Sequence, residues 1–195
     1  MATEIFRDPD KYEIIGGKNF IQLGDTFAEG IIKSNLNMLI GFHARKNKLG
    51  CQFCNLELDF SPENIFRSDF VYYSASNPKT VFDNVKKTIA GVPDMVAEIF
   101  SRSTMKRDMG IKKDIYERNG VKEYWMIDPW RETVEVYILR DGKYRLDDVY
   151  HNYSAAELNE LTDEERAEIK NEIPVDVLDG FKIKIKNIFG WYFES

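Results

Sequence analysis

The sequence predicts an α/β protein in which helices cover the faces of a central β-sheet. Short apolar segments with the alternation of β-strands recur along the chain, and two longer segments between them have helical periodicity. The order that we derive is helix, three strands, helix, strand and a final hairpin. This order excludes a pure helical bundle and a pure β-barrel.

The composition predicts one ordinary folded domain. The chain has 195 residues, of which 43% are hydrophobic and 31% charged, so we expect residues 1–195 to form a single domain. A net charge of −6 argues against a protein that coats nucleic acid non-specifically, although a local basic site is compatible with it. Two cysteines, a charged N-terminus and no apolar run of ~20 residues predict a cytoplasmic protein outside the membrane.

The first third of the chain predicts a hairpin, a helix and two strands. Adjacent glycines in residues 11–23 favour a tight hairpin turn. A helix is expected from about Phe27 to Asn47, because Thr26 and Glu29 have the spacing of a capping box. Strands follow at 51–60 and 65–73, and the alternation of the first predicts one buried side, made of Cys54, Leu56, Leu58 and Phe60.

The second half repeats these patterns and ends in an insertion and an edge strand. We expect strands at 93–100 and 123–128, a helix over about 105–119 between them, and a hairpin that joins 133–139 to 143–149. Residues 154–173 are strongly acidic and contain two capping boxes, so they predict a helical surface insertion. The alternation of apolar residues with lysines near the C-terminus is typical of a half-exposed edge strand.

Glu98 is the residue that draws attention to a functional site. It lies in an apolar strand, where a carboxylate is costly unless it is paired, hydrogen-bonded or bound to a metal. Asp69 begins another apolar strand, and if the two strands are neighbours both carboxylates can hold one Mg²⁺. Asp94 is ~13 Å along the same strand from Glu98 and should stay outside such a site. A structural ion pair at Glu98 explains the residues equally well.

The helix after this strand supplies a basic candidate. Lys112 shares its face with Asp108, Ile115, Tyr116 and Asn119, which should meet the sheet. The surrounding stretch is the most basic in the chain and suits a phosphate backbone, although such a run is usually a solvated helix face. Its cations are Arg102, Lys106, Arg107 and Lys113.

These segments together resemble the Uma-type restriction endonuclease family, a branch of the PD-(D/E)XK nuclease superfamily. The resemblance is carried by RSDFVYY, GVPDMVAEIFSRST and DMGIKKDIYERNGVKEYWMIDP, with weaker similarity at KYEIIGGKNFIQL and near the C-terminus. It implies a restriction-endonuclease-like core, a central mixed sheet flanked by helices, with an added C-terminal hairpin. It also implies Asp69 and Glu98 as metal ligands and Lys112 as the catalytic lysine.

The sequence departs from the family pattern at three places. Phe100 occupies the position where the superfamily has its lysine, so the resemblance requires Lys112 to reach the site from the helix. Arg67-Ser68 precedes Asp69 where a proline is expected, and Glu29 stands where relatives often have histidine. Glu29 is therefore an additional candidate for the site. Glu57 is another, because it lies on the opposite side of its strand from Leu56 and Leu58, although it fits an exposed position slightly better.

The resulting hypothesis is a nuclease that uses Mg²⁺ or Mn²⁺ and hydrolyses nucleic acid, with DNA as the expected substrate. A homodimer is compatible with this function, because a single-site nuclease needs two copies to cut both strands symmetrically. One alternative is an inactive, nuclease-derived module that binds nucleic acid or protein. Another is a metal-dependent hydrolase of a small phosphorylated substrate.

Overall fold

A computed structural model describes residues 12–21, 25–83, 88–100 and 108–190. Its strands are β1 Tyr12–Ile15, β2 Lys18–Ile21, β3 Gly50–Ser61, β4 Asn64–Ser74, β5 Val81–Asp83, β6 Thr88–Ala90, β7 Met95–Ile99, β8 Glu123–Asp128, β9 Thr133–Arg140, β10 Lys143–His151, β11 Glu172–Pro174 and β12 Lys182–Lys184. Its helices are α1 Phe27–Lys46, α2 Lys113–Asn119, α3 Ala155–Glu160, α4 Asp163–Ala167 and α5 Lys186–Phe189. A π-helical turn, Asp108–Lys112, leads directly into α2.

Eight strands form one mixed sheet at the centre of the fold. Their order is β10-β9-β8-β7-β4-β1-β2, and β3 pairs with the other edge of β4. Only β7 and β8 run parallel; the other neighbours in this sheet are antiparallel. The predicted mixed sheet with flanking helices is confirmed.

The sheet divides two hydrophobic clusters. On one face, α1, α5 and the small β11–β12 sheet cover a core that includes Leu36, Phe70 and Trp125. On the other face, α2 packs over a cluster that includes Phe66 and Tyr116. The helix on each face is therefore held by its own apolar stripe, as amphipathic helices on a sheet usually are.

The two helical segments for which the sequence predicts capping boxes agree with the structure at residue level. Thr26 and Glu29 form the capping box at the start of α1, which ends at Lys46. The acidic segment has both predicted boxes, at Ser154 and Thr162, and α3 and α4 bury none of their residues. Capping boxes are local contacts, which explains why the sequence predicts them well.

The predicted buried side of β3 is wrong at Cys54. Leu56 packs with the α2 cluster, whereas Cys54 packs with the α1 cluster. Between them Asn55 adopts a positive φ of 55°, and the alternation of β4 reverses opposite it, at Asp69. Asparagine tolerates this left-handed conformation better than most residues, so the strand turns over without breaking its register.

The end of the chain also differs from its prediction. Within the described residues, the alternating segment forms only the three-residue β12, which pairs with β11. The chain then turns into α5, whose Ile188 is buried against α1, instead of continuing as an edge strand.

The feature that positions the site is a split along one edge of β4. β1 pairs with this edge at Ile65, and β7 pairs with it from Phe70 to Tyr72. β3 occupies the opposite edge along almost the whole of β4. Residues 66–69 therefore lie in a gap between β1 and β7, where backbone groups and side chains of three strands meet.

Candidate metal and nuclease site

Asp69 and Glu98 are neighbours at the split in the sheet. The last paired residues of β4 and β7 are Phe70 and Ala97, and Asp69 and Glu98 are the next residues along these two strands. Oδ2 of Asp69 accepts a hydrogen bond of 2.8 Å from the backbone N–H of Ile99. The strands that carry these two acids are therefore neighbours, as the prediction of a shared site required.

Glu98 is buried and fully engaged on the α2 side of the sheet. Its side chain is 2% exposed, its Oε1 accepts a hydrogen bond from the Tyr116 hydroxyl, and its Oε2 lies 3.5 Å from Lys112 Nζ. Burial, and then the charge of Glu98, raise the pKa of Tyr116 well above its usual value. Tyr116 consequently stays protonated and donates to Glu98, while it accepts from Ser68 Oγ at 2.6 Å.

Lys112 reaches this strand from the helical layer. It ends the π-helical turn, and its ammonium lies 3.0 Å from Glu13 Oε1 in addition to its contact with Glu98. Phe100, which occupies the position of the superfamily lysine, is buried in the α2 cluster. The displaced position that the family resemblance requires of Lys112 is therefore sterically accessible.

Glu13 is a member of this cluster that sequence reasoning missed. It projects from β1, and the same Oε1 that pairs with Lys112 accepts a 3.1 Å hydrogen bond from the backbone N–H of Arg67. The sequence did contain an indication of its role, because Glu13, like Glu98, is a single carboxylate within an apolar strand, YEII. The contact spans 99 positions of sequence to Lys112, so only the fold reveals it.

Lys33 is the second missed residue and approaches Asp69 from α1. Its ammonium lies 2.7 Å from Asp69 Oδ1, 2.6 Å from Asp25 Oδ1 and 2.8 Å from Asn55 Oδ1. Burial alone would lower the pKa of Lys33, but Asp69 and Asp25 outweigh it and the pKa is raised. The side chain is 6% exposed and remains charged.

Comparison with known proteins identifies the family of this chain. The family model Uma2, described as "Putative restriction endonuclease", matches residues 2–170. The chain belongs to the Uma2 family. No curated protein matches it significantly.

A solved structure supports the fold of this Uma2 chain independently. The crystal structure of a "putative nuclease belonging to DUF820" from Anabaena variabilis ATCC 29413 superposes with a TM-score of 0.69 at 19% sequence identity. The match covers 91% of this chain and 89% of the other. The restriction-endonuclease-like fold predicted from the sequence is confirmed by the family and this likeness together.

The acids of the Uma2 chain fit a magnesium or manganese ion by the chemistry of their donors. Mg²⁺ is usually held by one or two carboxylates and keeps several waters, and Asp69 and Glu98 are two carboxylates on the neighbouring strands β4 and β7. Among the described residues no three His, Cys, Asp or Glu side chains cluster to form a fuller ligand set. Lys33 and Lys112 place positive charge beside the same two acids.

Two further candidate acids have other contacts. Glu29 is buried, and its carboxylate accepts from the backbone N–H of Thr26 in the capping box of α1. Glu57 is exposed and lies opposite Arg67 in the β3–β4 register, as its alternation suggested. Asp94 is occupied at the far end of β7, where Ser74 N–H donates to it and Lys122 Nζ lies 2.7 Å away.

The predicted basic surface is described only at one residue. Lys113 is half-buried, and its ammonium lies 3.2 Å from the centre of the Tyr137 ring. Arg102, Lys106 and Arg107 fall in 101–107, outside the described residues. Within the parts of the chain that the structure describes, no helix is both long and apolar enough to cross a membrane.

Proposed function

We propose that this protein is a metal-dependent endonuclease that hydrolyses phosphodiester bonds of nucleic acid, with DNA as its substrate. The observation that carries the proposal is the pairing of buried Glu98 with Lys112 on β7, the strand next to the one that carries Asp69. A carboxylate and a lysine buried together are costly to maintain, and sites with such groups are often functional. Membership of the Uma2 family gives this pair a chemical context.

In the proposed mechanism Asp69 and Glu98 would hold Mg²⁺ or Mn²⁺, and the chemistry supplied there would be polarisation of the scissile phosphate and a lowered pKa of an attacking water. Lys112 orients that water or stabilises the negative charge that develops on the phosphate, because an ammonium in a water-poor site acts strongly on nearby charge. In this proposal a phosphate would approach these groups at the split between β1 and β7.

Two neighbouring side chains keep the reactive groups in position. Glu13 holds Lys112 at 3.0 Å, so the ammonium stays in place when Glu98 turns toward an ion. Tyr116 donates to Glu98 and fixes the direction of its other oxygen. Neither residue needs to touch substrate to fulfil these roles.

Nucleic acid would be held by the basic segment next to the site. We propose Arg102, Lys106, Arg107 and Lys113 as phosphate contacts, and the acidic segment 154–173 as a surface that faces away from the nucleic acid. Each such contact releases condensed counterions, so binding should weaken steeply with salt. Replacing all four by Gln should flatten the salt dependence of DNA binding in fluorescence anisotropy; an unchanged dependence would favour a small phosphorylated substrate.

For cleavage of duplex DNA we propose that the protein acts as a homodimer. Large apolar side chains are exposed along one face of α1: Phe27 is 66% exposed, Met38 48% and Phe42 68%. Phe27 and Phe42, like Ile31 and Met38, are spaced symmetrically about a point between Ser34 and Asn35 of α1, so antiparallel packing of two copies would place like against like. Sedimentation of wild type and of Met38→Lys/Phe42→Lys tests it: the variant should be monomeric, and a monomeric wild type would exclude the dimer.

An inactive binding module is the second candidate, and one observation favours it. Both carboxylates already have lysine partners, as in a structural ion-pair network. Calorimetric titration with Mn²⁺ separates the two functions, because a site held closed by ion pairs should bind little metal.

The experiment that tests the substrate compares three phosphodiesters. Purified protein is incubated with duplex DNA, RNA and bis-p-nitrophenyl phosphate in Mg²⁺ or Mn²⁺, with EDTA as the control. We expect metal-dependent cleavage of duplex DNA. Preference for the small ester would instead support a hydrolase of small phosphorylated substrates, and absence of any cleavage would support the binding module.

A further inference from the structure

Lys33 occupies the centre of a small cage of oxygen atoms. Its ammonium contacts one oxygen from each of three segments: Asp25 before α1, Asn55 in β3 and Asp69 in β4. All three distances lie between 2.6 and 2.8 Å. The ammonium therefore binds an oxygen of the same carboxylate that the proposed function assigns to a metal ion.

The two lysines at the site have the same arrangement of partners. Lys112 contacts Glu98 and also Glu13, while Lys33 contacts Asp69 and also Asp25 with Asn55. Each lysine thus has one partner that is a proposed metal ligand and another that is not. If an ion took over Asp69 and Glu98, neither buried ammonium would be left without an acceptor, which is the costly outcome for a buried charge.

The charge of Lys33 opposes a second cation at Asp69. The side chain is almost fully buried on α1, and its ammonium lies 2.6 Å from Asp25 Oδ1 and 2.7 Å from Asp69 Oδ1. A cation this close to Oδ1 must repel a divalent cation that approaches the same oxygen.

We propose that Lys33 is an internal counter-ion of the metal site, which holds Asp69 while no ion is bound and competes with the ion for Asp69 Oδ1. When an ion binds, Lys33 keeps its contacts with Asp25 and Asn55 and gives up Asp69. This inference rests on the proposed function, since it assumes that Asp69 is a metal ligand. It makes Lys33 a positioning residue that sets the affinity for metal without contacting substrate.

The test is calorimetric titration with Mn²⁺ of the full-length protein and four variants. Lys33→Gln removes the charge and keeps a hydrogen-bond donor, Lys33→Arg keeps the charge, and Lys46→Gln changes an exposed lysine of the same helix. Asp25→Asn removes the charge of the alternative acceptor of Lys33. Circular dichroism and thermal unfolding confirm that each variant is folded.

We expect Lys33→Gln to bind Mn²⁺ about tenfold more tightly than wild type, which corresponds to about 1.4 kcal/mol. Lys33→Arg and Lys46→Gln should bind as wild type does, and Asp25→Asn should bind severalfold more weakly because Lys33 then depends more on Asp69. A residue with a merely structural role would not raise the affinity when it is removed. If Lys33→Gln does not fold, the weaker binding of Asp25→Asn decides the question.

Each other result has a distinct meaning. Unchanged or weaker binding by folded Lys33→Gln, with wild type binding normally, overturns the counter-ion and leaves the proposed function intact. Binding by Lys33→Gln but not by wild type supports the counter-ion and contradicts metal-dependent activity of the wild type. Absence of Mn²⁺ binding in every protein overturns both.

Discussion

The ammonium of Lys112 lies 3.5 Å from Oε2 of Glu98, so a lysine on the helical layer and a glutamate on the central sheet meet in the protein interior. Lys112 is 4% exposed and Glu98 is 2% exposed. The contact is possible because the π-helical turn before α2 directs residue 112 toward the strand, and Phe100 fills the apolar position that a strand lysine would occupy. A catalytic role of this contact and a purely structural role predict different results when Lys112 is mutated.

Lys112→Met should abolish most cleavage and leave metal binding in place. It removes the charge that orients water or stabilises the developing negative charge, and loss of one such group usually costs about 10²–10³ in rate. Lys143→Met is the matched control, because Lys143 is an exposed lysine that contacts Glu117 of α2 and neither Glu98 nor Asp69. Single-turnover cleavage of duplex DNA measures both variants.

The same substitution also leaves two buried carboxylates, Glu13 and Glu98, without their shared cation. Loss of one partner of a buried pair costs about 3–5 kcal/mol, so cleavage must be compared at a temperature where the variant is folded. Normal cleavage by Lys112→Met would make Lys113, or no lysine, the catalytic partner. An unfolded variant of a wild type that never cleaves would assign the pair to structure.

Local patterns explain how far the sequence could predict the fold. The capping boxes of α1, α3 and α4 and the hairpin turn at Asp141-Gly142 depend on residues within a few positions of one another. Alternation in β3 failed at Asn55, since a single left-handed residue reverses the side chains without changing the composition. The core side of α1 consists of Ile32, Leu36, Ile40 and Ala44, which recur at helical spacing.

The candidate site could be predicted only where a residue contradicted its own surroundings. Glu98 drew attention because it is a charge in an apolar strand, and the family resemblance added Lys112. Lys33 gave no such signal, since a lysine in the middle of an ordinary helix is usually exposed. Its burial depends on Asp69 and Asn55, which are distant in sequence and are brought to it by the sheet.

Tyr116→Phe should lower the free energy of unfolding by about 1–3 kcal/mol, because it leaves buried Glu98 and Ser68 without the hydroxyl that both contact. Tyr144→Phe is the control: it removes a half-buried hydroxyl that donates to the backbone oxygen of Val121, away from the site. Urea denaturation measures both. Equal stability of Tyr116→Phe and wild type would mean that the hydroxyl does not support Glu98.

Glu123 should make stability fall as the pH rises from about 4.5 to about 7. Burial raises the pKa of Glu123 to about 7, although hydrogen bonds donated by Val177 N–H and Trp125 Nε1 act to lower this pKa. The folded protein therefore holds this proton more tightly than the unfolded chain does. Its stabilising effect is complete below pH 4.5 and is lost, by about 3 kcal/mol, as the pH rises to 7.

Glu123→Gln carries no such proton. The unfolding free energy of wild type should therefore fall relative to that of the variant as the pH rises across this range. Denaturation at half-unit steps from pH 4.5 to 8 measures the difference. Glu172→Gln, at an exposed glutamate of β11, should retain the pH dependence of wild type. An identical slope in Glu123→Gln would show that Glu123 titrates near its ordinary pKa.

Cleavage of a supercoiled plasmid by wild type and Glu98→Gln, purified side by side, tests the nuclease function most directly. Glu98→Gln keeps the size of the side chain and an acceptor for Tyr116 but removes the charge proposed to hold the metal. We expect wild type to nick or linearise the plasmid in Mg²⁺ or Mn²⁺, EDTA to stop the reaction, and Glu98→Gln to be at least about a hundredfold slower. Equal cleavage by the two proteins, or no cleavage by wild type with either ion, would contradict a nuclease site built on Asp69, Glu98 and Lys112.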